Sequence, residues 1–195
     1  MKKLLLLLCL IAAFDLTAQS SNTYPNLQYD AAIWKEVPKV VLKYLNANLP
    51  AASAVARETG MPVDLLLCAA ALESGWGRSE LTLRANNHFG IKNPYEDGPS
   101  YCMMHKDFIP GEGPVMSYTC FKKYASAYES FLDYVEHLQT RGCYLDINQY
   151  ASPVFEDWVQ VVVDCGYATD PLYGEKLLRI RKQYYFDFLI GPQWR

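Results

Sequence analysis

Eight consecutive apolar residues, Leu65 to Leu72, come soon after Pro62 and lead straight into Glu73-Ser-Gly-Trp-Gly77. Pro62 suits the start of a helix and the two glycines suit its end, so the run predicts a helix that is apolar on every face. Such a helix needs other elements wrapped around it on all sides. The chain has the material for that: 195 residues, 51% of them apolar and 20% charged, enough for one ordinary domain with a real core. A formal net charge of −3 leaves no basic surplus, so nucleic acid is not an expected partner. Beyond the N-terminus no stretch reaches about 18 uninterrupted apolar residues, so no membrane span is expected.

Lys2 and Lys3 precede an apolar stretch from Leu4 to Phe14, and Leu16-Thr17-Ala18 supplies a small-residue exit. This is the layout of a secretory signal peptide over residues 1–18, and it implies a periplasmic or secreted protein. Cys9 lies inside the apolar stretch rather than at the cut, which argues against lipid attachment. Residues 19–30 are polar around Tyr24-Pro25 and read as a flexible leader. Residues 31–195 read as a single domain.

Export changes how the cysteines read. Removing Cys9 leaves Cys68, Cys102, Cys120, Cys143 and Cys165, an odd number. Cys102 and Cys120 flank the turn cluster Ile109-Pro-Gly-Glu-Gly-Pro114. A hairpin folded about Gly111 sets the two opposite each other, within reach of a cross-strand disulfide. Cys143 and Cys165 could join neighbouring helices, and Cys68 reads as a buried free thiol. Cys102-x-x-His105 could suggest zinc, but His88 and His137 follow no ligand spacing, so no metal is expected.

Helical signals dominate the rest. Asp30 to Leu45 is apolar at helical spacing, interrupted by Pro38, and Ala51 to Arg57 predicts a second helix ending at Gly60. Residues 93–123 change character, with strand-like stretches among Gly, Pro and aromatics. Ser126-x-x-Glu129 is a capping box, and Tyr128, Phe131, Leu132, Val135 and Leu138 then form one face. Ser152-Pro153 opens a helix burying Phe155, Trp158, Val159 and Val162; Asp170-Pro171 opens another with Tyr173, Leu177, Ile180 and Tyr184 on one side. The expected fold is mainly α with a small inserted β-hairpin lobe, an α+β arrangement.

Glu73 breaks the apolar pattern. A carboxylate near a helix C-terminus meets the negative end of the macrodipole, and apolar surroundings desolvate it. Both effects raise its pKa, as a general acid working near neutral pH requires. The plainer alternative pairs Glu73 with Arg78 or Arg84, or leaves it exposed with no task.

Three segments carry a resemblance. Ala71-Leu-Glu-Ser-Gly-Trp-Gly-Arg-Ser79, Asn86-Asn-His-Phe-Gly-Ile-Lys92 and Gly166-Tyr-Ala-Thr-Asp-Pro171 resemble the bacterial endo-β-N-acetylglucosaminidases of glycoside hydrolase family 73. They occur in that family's order and span about residues 50–185. The resemblance implies a lysozyme-like fold and a peptidoglycan hydrolase that cuts the β-1,4 bond after N-acetylglucosamine.

It also implies roles. Glu73 matches the general acid, and Trp76 an aromatic beside it. Asn87, Phe89, Gly90 and Lys92 match the segment beneath the cleft, either touching sugar or only holding the β lobe. Tyr167 matches a tyrosine facing the cleft opposite the acid. For Asp170 a helix N-cap role is sufficient. Glycoside hydrolysis normally needs a second carboxylate. The family's usual Glu is replaced here, and Asp107 stands nearest its place, with Glu112 as fallback and Glu96 and Asp97 as weaker candidates. If none serves, the substrate's own acetamido group could take over. Tyr95, Tyr101, Tyr118 and Tyr144 are aromatics that could line a cleft.

The expected partner is therefore a peptidoglycan glycan strand, met by a monomer with no cofactor. A lytic transglycosylase or muramidase of the same fold, or an inactive glycan-binding domain, are the alternatives.

Overall fold

The apolar run forms helix α3, Val63–Ser74, in which Leu65 to Ala70 have no exposed surface. The structure is a computed structural model that describes residues 23–95, 97–109, 113–140 and 154–194. Packed against α3 are α2 (Lys39–Thr59), α6 (Phe155–Asp164) and α7 (Tyr173–Gln183). Helix α5 (Ala127–Thr140) packs on α2 and adds Phe131, Tyr134, Val135 and Leu138 to the same core. Short helices α1 (Ala31–Glu36), α4 (Glu80–Ala85) and α8 (Phe186–Leu189) flank these, with a 3-10 turn at Pro192–Trp194. Strands β1 (Ser100–Ile109) and β2 (Gly113–Lys122) form an antiparallel hairpin between α4 and α5. The arrangement is lysozyme-like: a helical domain with a small β lobe inserted near its middle. Among the described residues no helix is long and apolar enough to cross a membrane.

Two expectations are corrected. The helix broken near Leu45 is continuous: α2 runs from Lys39 to Thr59 with Pro50 inside it. Proline cannot donate to the carbonyl four residues back. Here that carbonyl, on Asn46, accepts from Asn26 Nδ2 at 2.7 Å, while Asn46 Oδ1 accepts the Asn26 backbone N–H at 2.8 Å. The side chain of Asn26 thus repairs the gap that proline leaves. For the same reason the described part of the leader is not loose. Tyr24 and Leu27 are buried, Trp34 packs edge-on against Tyr24, and the Gln28 N–H donates to the Leu189 carbonyl at 2.9 Å. Two apolar anchors suffice to seat a mostly polar segment.

The capping box forms with a shift. Ser126 Oγ accepts the Glu129 N–H at 3.3 Å, but Glu129 reaches back to the Ala125 N–H, at 2.9 Å. Asp170 acts two residues ahead of the cap position: its Oδ1 accepts the Leu172 N–H at 2.9 Å, setting the turn that starts α7.

The hairpin register pairs Cys102 with Cys120, and the two form a disulfide. Cys165 is also disulfide-bonded; Cys143, its expected partner, lies outside the described residues. Cys68 is free and buried in α3. The hairpin is fastened at its base. The Lys122 N–H donates to Ile91 at 3.0 Å, Asn93 donates to Cys120 at 2.8 Å, and Lys122 Nζ meets Asp133 of α5 at 2.8 Å.

Candidate active site

Glu73 is the penultimate residue of α3, so the apolar run Leu65–Leu72 ends by delivering one carboxyl to the surface. The chain then reverses sharply. Gly75, Trp76 and Gly77 have φ of 56°, 61° and 71°, three successive left-handed residues, and Trp76 takes that conformation without glycine's freedom. Gly77 is required twice over: a Cβ there would lie 2.8 Å from the Tyr44 ring. The turn is held from below by Ser74, whose Oγ accepts the Gly77 N–H at 2.8 Å and donates to the Ala70 carbonyl at 2.5 Å. The same Oγ lies 3.3 Å from the Tyr44 hydroxyl, which in turn is hydrogen-bonded to His88 Nδ1 at 2.8 Å. Burial lowers the His88 pKa to about 4, so this ring stays neutral.

Glu73 lies where two cavities meet. One, of about 760 Å³, is bounded by Phe89 to Lys92, Tyr167 to Asp170, Tyr173 and Lys176. The other, of about 340 Å³, lies toward the β lobe and is lined by Glu80, Met103, His105 and Phe121. Glu73, Phe89, Gly90 and Lys92 border both, so the two form one groove with the carboxyl at its waist. Each volume falls in the range of small-molecule sites.

The electrostatics favour a retained proton. Desolvation pushes the Glu73 pKa up, opposed more weakly by the Tyr173 hydroxyl and by Lys176. Glu73 is exposed by surface area because its side chain projects into an open groove. The protein around the carboxyl nevertheless displaces enough water to disfavour the charge. Tyr173 lies close enough to favour the carboxylate, yet its hydroxyl makes no aligned hydrogen bond to any partner. Lys176 is itself paired with Asp170, whose pKa that contact lowers.

Of the residues expected from sequence, Glu73, Lys92, Phe89 and Tyr167 come together. Tyr167 donates to the Phe89 carbonyl at 2.9 Å. Phe89 is buried, stacked on Tyr134 with ring centroids 4.1 Å apart, so it forms the floor of the groove. Asn87 borders the smaller cavity, but its polar atoms are turned to the backbone. It is 1% exposed; its Nδ2 donates to Ile91 and Lys122, and its Oδ1 accepts from Phe89 and Ile91. All of these bonds are spent in holding the β lobe.

Trp76 is also placed elsewhere, edge-on between Tyr44 and Tyr184. Its left-handed backbone turns the ring back onto the helices. Tyr95 stands 91% exposed beside the groove rather than in it. Tyr101 donates to Glu80 at 2.6 Å, so it reaches the groove only through that carboxylate. Tyr118 is exposed opposite Met104, in the other phase of the hairpin from Met103 and His105. The Asp97 carbonyl accepts from Asn93. Glu96, Glu112 and Tyr144 lie outside the described residues. Asp107 pairs with Val115, in phase with Tyr101, Met103 and His105; its side chain lies outside what the structure describes.

Sequence reading missed Glu80, Met103, His105, Tyr173 and Lys176 as groove residues. The last two were within reach, since they fall three and six residues after the Asp170 turn. Met103 and His105 follow from Asp107 by strand alternation.

A helical domain built round one buried helix, with a β lobe beside it and a desolvated carboxyl in the groove between them, defines the lysozyme-like class. The chain belongs to the glucosaminidase family: the family model described as mannosyl-glycoprotein endo-beta-N-acetylglucosaminidase matches residues 49–186. It is similar to the peptidoglycan hydrolase FlgJ of Pseudomonas aeruginosa, 33% identical over 147 residues, covering 72% of this chain and 36% of that protein. It is equally similar to the exo-glucosaminidase LytG of Bacillus subtilis, 33% over 129 residues, 64% of this chain and 44% of that one. Among solved structures it resembles the catalytic domain of the autolysin Auto from Listeria monocytogenes. That match has a TM-score of 0.69 at 26% identity and covers 82% of this chain and 89% of the other. The chain spans less than half the length of these two curated relatives.

Proposed function

We propose that this domain hydrolyses the β-1,4 glycosidic bond after N-acetylglucosamine in peptidoglycan strands, with Glu73 as the general acid. The observation that carries the reading is the position of Glu73, at the waist of a groove open to either side, where desolvation raises its pKa. Sugars on both flanks would set the bridging oxygen against that carboxyl. Glu73 gives its proton to the oxygen as the bond to C1 breaks, and positive charge develops on the ring. Asp107 is the second carboxylate, activating a water or stabilising that charge. Its strand phase, shared with Met103 and His105 of the groove wall, supports this assignment. Tyr167 and Lys92 border the sugar site.

Relatives named as a peptidoglycan hydrolase and an exo-glucosaminidase support the substrate and the bond. The protein acts as a monomer outside the cytoplasm, exported by residues 1–18. The Cys102–Cys120 disulfide fits an oxidising compartment.

Digestion of purified peptidoglycan by the chain lacking residues 1–18, with product ends identified by mass spectrometry, tests the proposal. Reducing N-acetylglucosamine ends that vanish in Glu73→Gln are expected. Anhydro-muramic ends, or binding to the wall without release, would overturn it.

A further inference from the structure

Two buried hydroxyls near Glu73 have no hydrogen-bond partner. Tyr134 of α5 has no exposed surface and Tyr173 of α7 is 4% exposed, yet neither Oη makes a hydrogen bond. Buried hydroxyls are almost always paired, because leaving one unpaired forfeits its hydration without return. Both rings are locked. Tyr134 stacks on Phe89 and meets the Tyr167 ring edge-on at 5.0 Å, and Tyr167 meets Tyr173 at 5.9 Å. Tyr173 also lines the larger cavity beside Glu73.

We propose that Tyr134 and Tyr173 are positioning residues for Glu73, a two-hydroxyl relay in which Tyr134 donates to Tyr173 and Tyr173 donates to the Glu73 carboxylate. The inference rests on the reading of Glu73 as general acid. A protonated Glu73 offers Tyr173 only a neutral carbonyl oxygen, a weaker acceptor. Once the proton has gone to the leaving sugar oxygen, the carboxylate is a strong acceptor, and the waiting hydroxyls have a partner in that state. An interaction made only as charge develops accelerates the step, whereas one made equally in both states does not.

The step to Glu73 has support: Glu73 and Tyr173 both line the larger cavity, and the Tyr173 hydroxyl acts to favour the charged form of Glu73, while Tyr134 and Tyr173 lie close enough to interact. Burial raises both tyrosines above their usual range, so neither gives up its proton. Other titratable groups line the groove from every side. Lys176 is paired to Asp170 on the α7 side, His137 comes from α5, Lys92 from the loop, and Glu80 and His105 from across the groove.

The test is titration of the Glu73 carboxyl by carbon NMR in glutamate-labelled protein, assigned by the signal lost in Glu73→Gln. In Tyr173→Phe the Glu73 midpoint is expected to rise by about one unit, and in Tyr134→Phe by less, in the same direction. Below both midpoints kcat on peptidoglycan is expected to fall about tenfold in Tyr173→Phe with KM unchanged. A Glu73 midpoint unmoved in Tyr173→Phe overturns the relay. If that variant does not fold, an unmoved midpoint in Tyr134→Phe overturns it equally. The titration needs no substrate, so it decides the relay even if the wild type cuts no glycan, which would instead defeat the proposed function.

Discussion

Tyr167 donates its hydroxyl proton to the backbone carbonyl of Phe89 at 2.9 Å, joining two motif segments that lie 78 residues apart in the chain. The bond fixes the far wall of the groove to its floor. It also commits the Tyr167 proton, leaving its ring and its oxygen lone pairs as what it can offer the groove. Tyr167→Phe is expected to cost about 1 kcal/mol of stability. Activity should fall less than in Glu73→Gln. Thermal melts and initial rates on peptidoglycan check both.

Glu73→Gln is expected to abolish hydrolysis, lowering kcat by at least about 100-fold. It should also change stability in a pH-dependent way. The folded chain raises the Glu73 pKa above its ordinary 4.5 by desolvation. Below 4.5 the carboxyl is neutral folded or unfolded, so wild type and variant should melt alike at about pH 4. As pH rises through the raised folded value, wild type comes to hold a charge that its surroundings disfavour. The variant should therefore melt higher than wild type at about pH 7. Equal melting temperatures at both pH values would contradict the desolvated carboxyl.

Asp107→Asn should lower kcat by roughly 100-fold or more with KM little changed, if Asp107 is the second carboxylate. Glu112→Gln is expected to leave the rate within about twofold. Chromatography of the first-formed anomer, run beside these variants, settles whether the reaction inverts or retains.

Asn87→Ala should destabilise the domain by about 3 kcal/mol, because buried backbone groups on Ile91, Lys122 and Phe89 lose their partners together. A sugar-binding residue would show the opposite pattern, a raised KM with the melting temperature intact. Calorimetry and kinetics on the same preparation separate the two.

The double variant Cys102→Ser, Cys120→Ser should cost about 3 kcal/mol, the scale for closing a loop of this length. A two-stranded hairpin is marginal on its own. Trypsin should then cut at exposed Lys106 far sooner than in the oxidised protein, a difference that gel electrophoresis shows directly.

Where a residue's neighbours are close in sequence, the fold could be read in advance. The α3 run, the capping box and the hairpin with its Cys102–Cys120 pair all belong to that group. Glu73 stood out because a carboxyl ending an apolar helix is costly unless it has a use. Features fixed by distant contacts stayed hidden. Nothing near Pro50 tells that Asn26 will supply the missing donor and let α2 continue. Nothing near Trp76 tells that a left-handed backbone will turn its ring toward Tyr184. Tyr134 reads as an ordinary core position on α5, and only the packing of α5, α7 and the Phe89 loop sets its hydroxyl beside that of Tyr173.

The contact between Gln28 and Leu189 has a topological consequence. One backbone hydrogen bond fastens the segment leading into α1 to the end of α8. A fold in which the segment before α1 meets the end of α8 in this way can be joined there by a short linker and reopened elsewhere. Such a rearranged chain would keep every groove residue in place. It would test whether the order in which these segments are synthesised matters for reaching the native state.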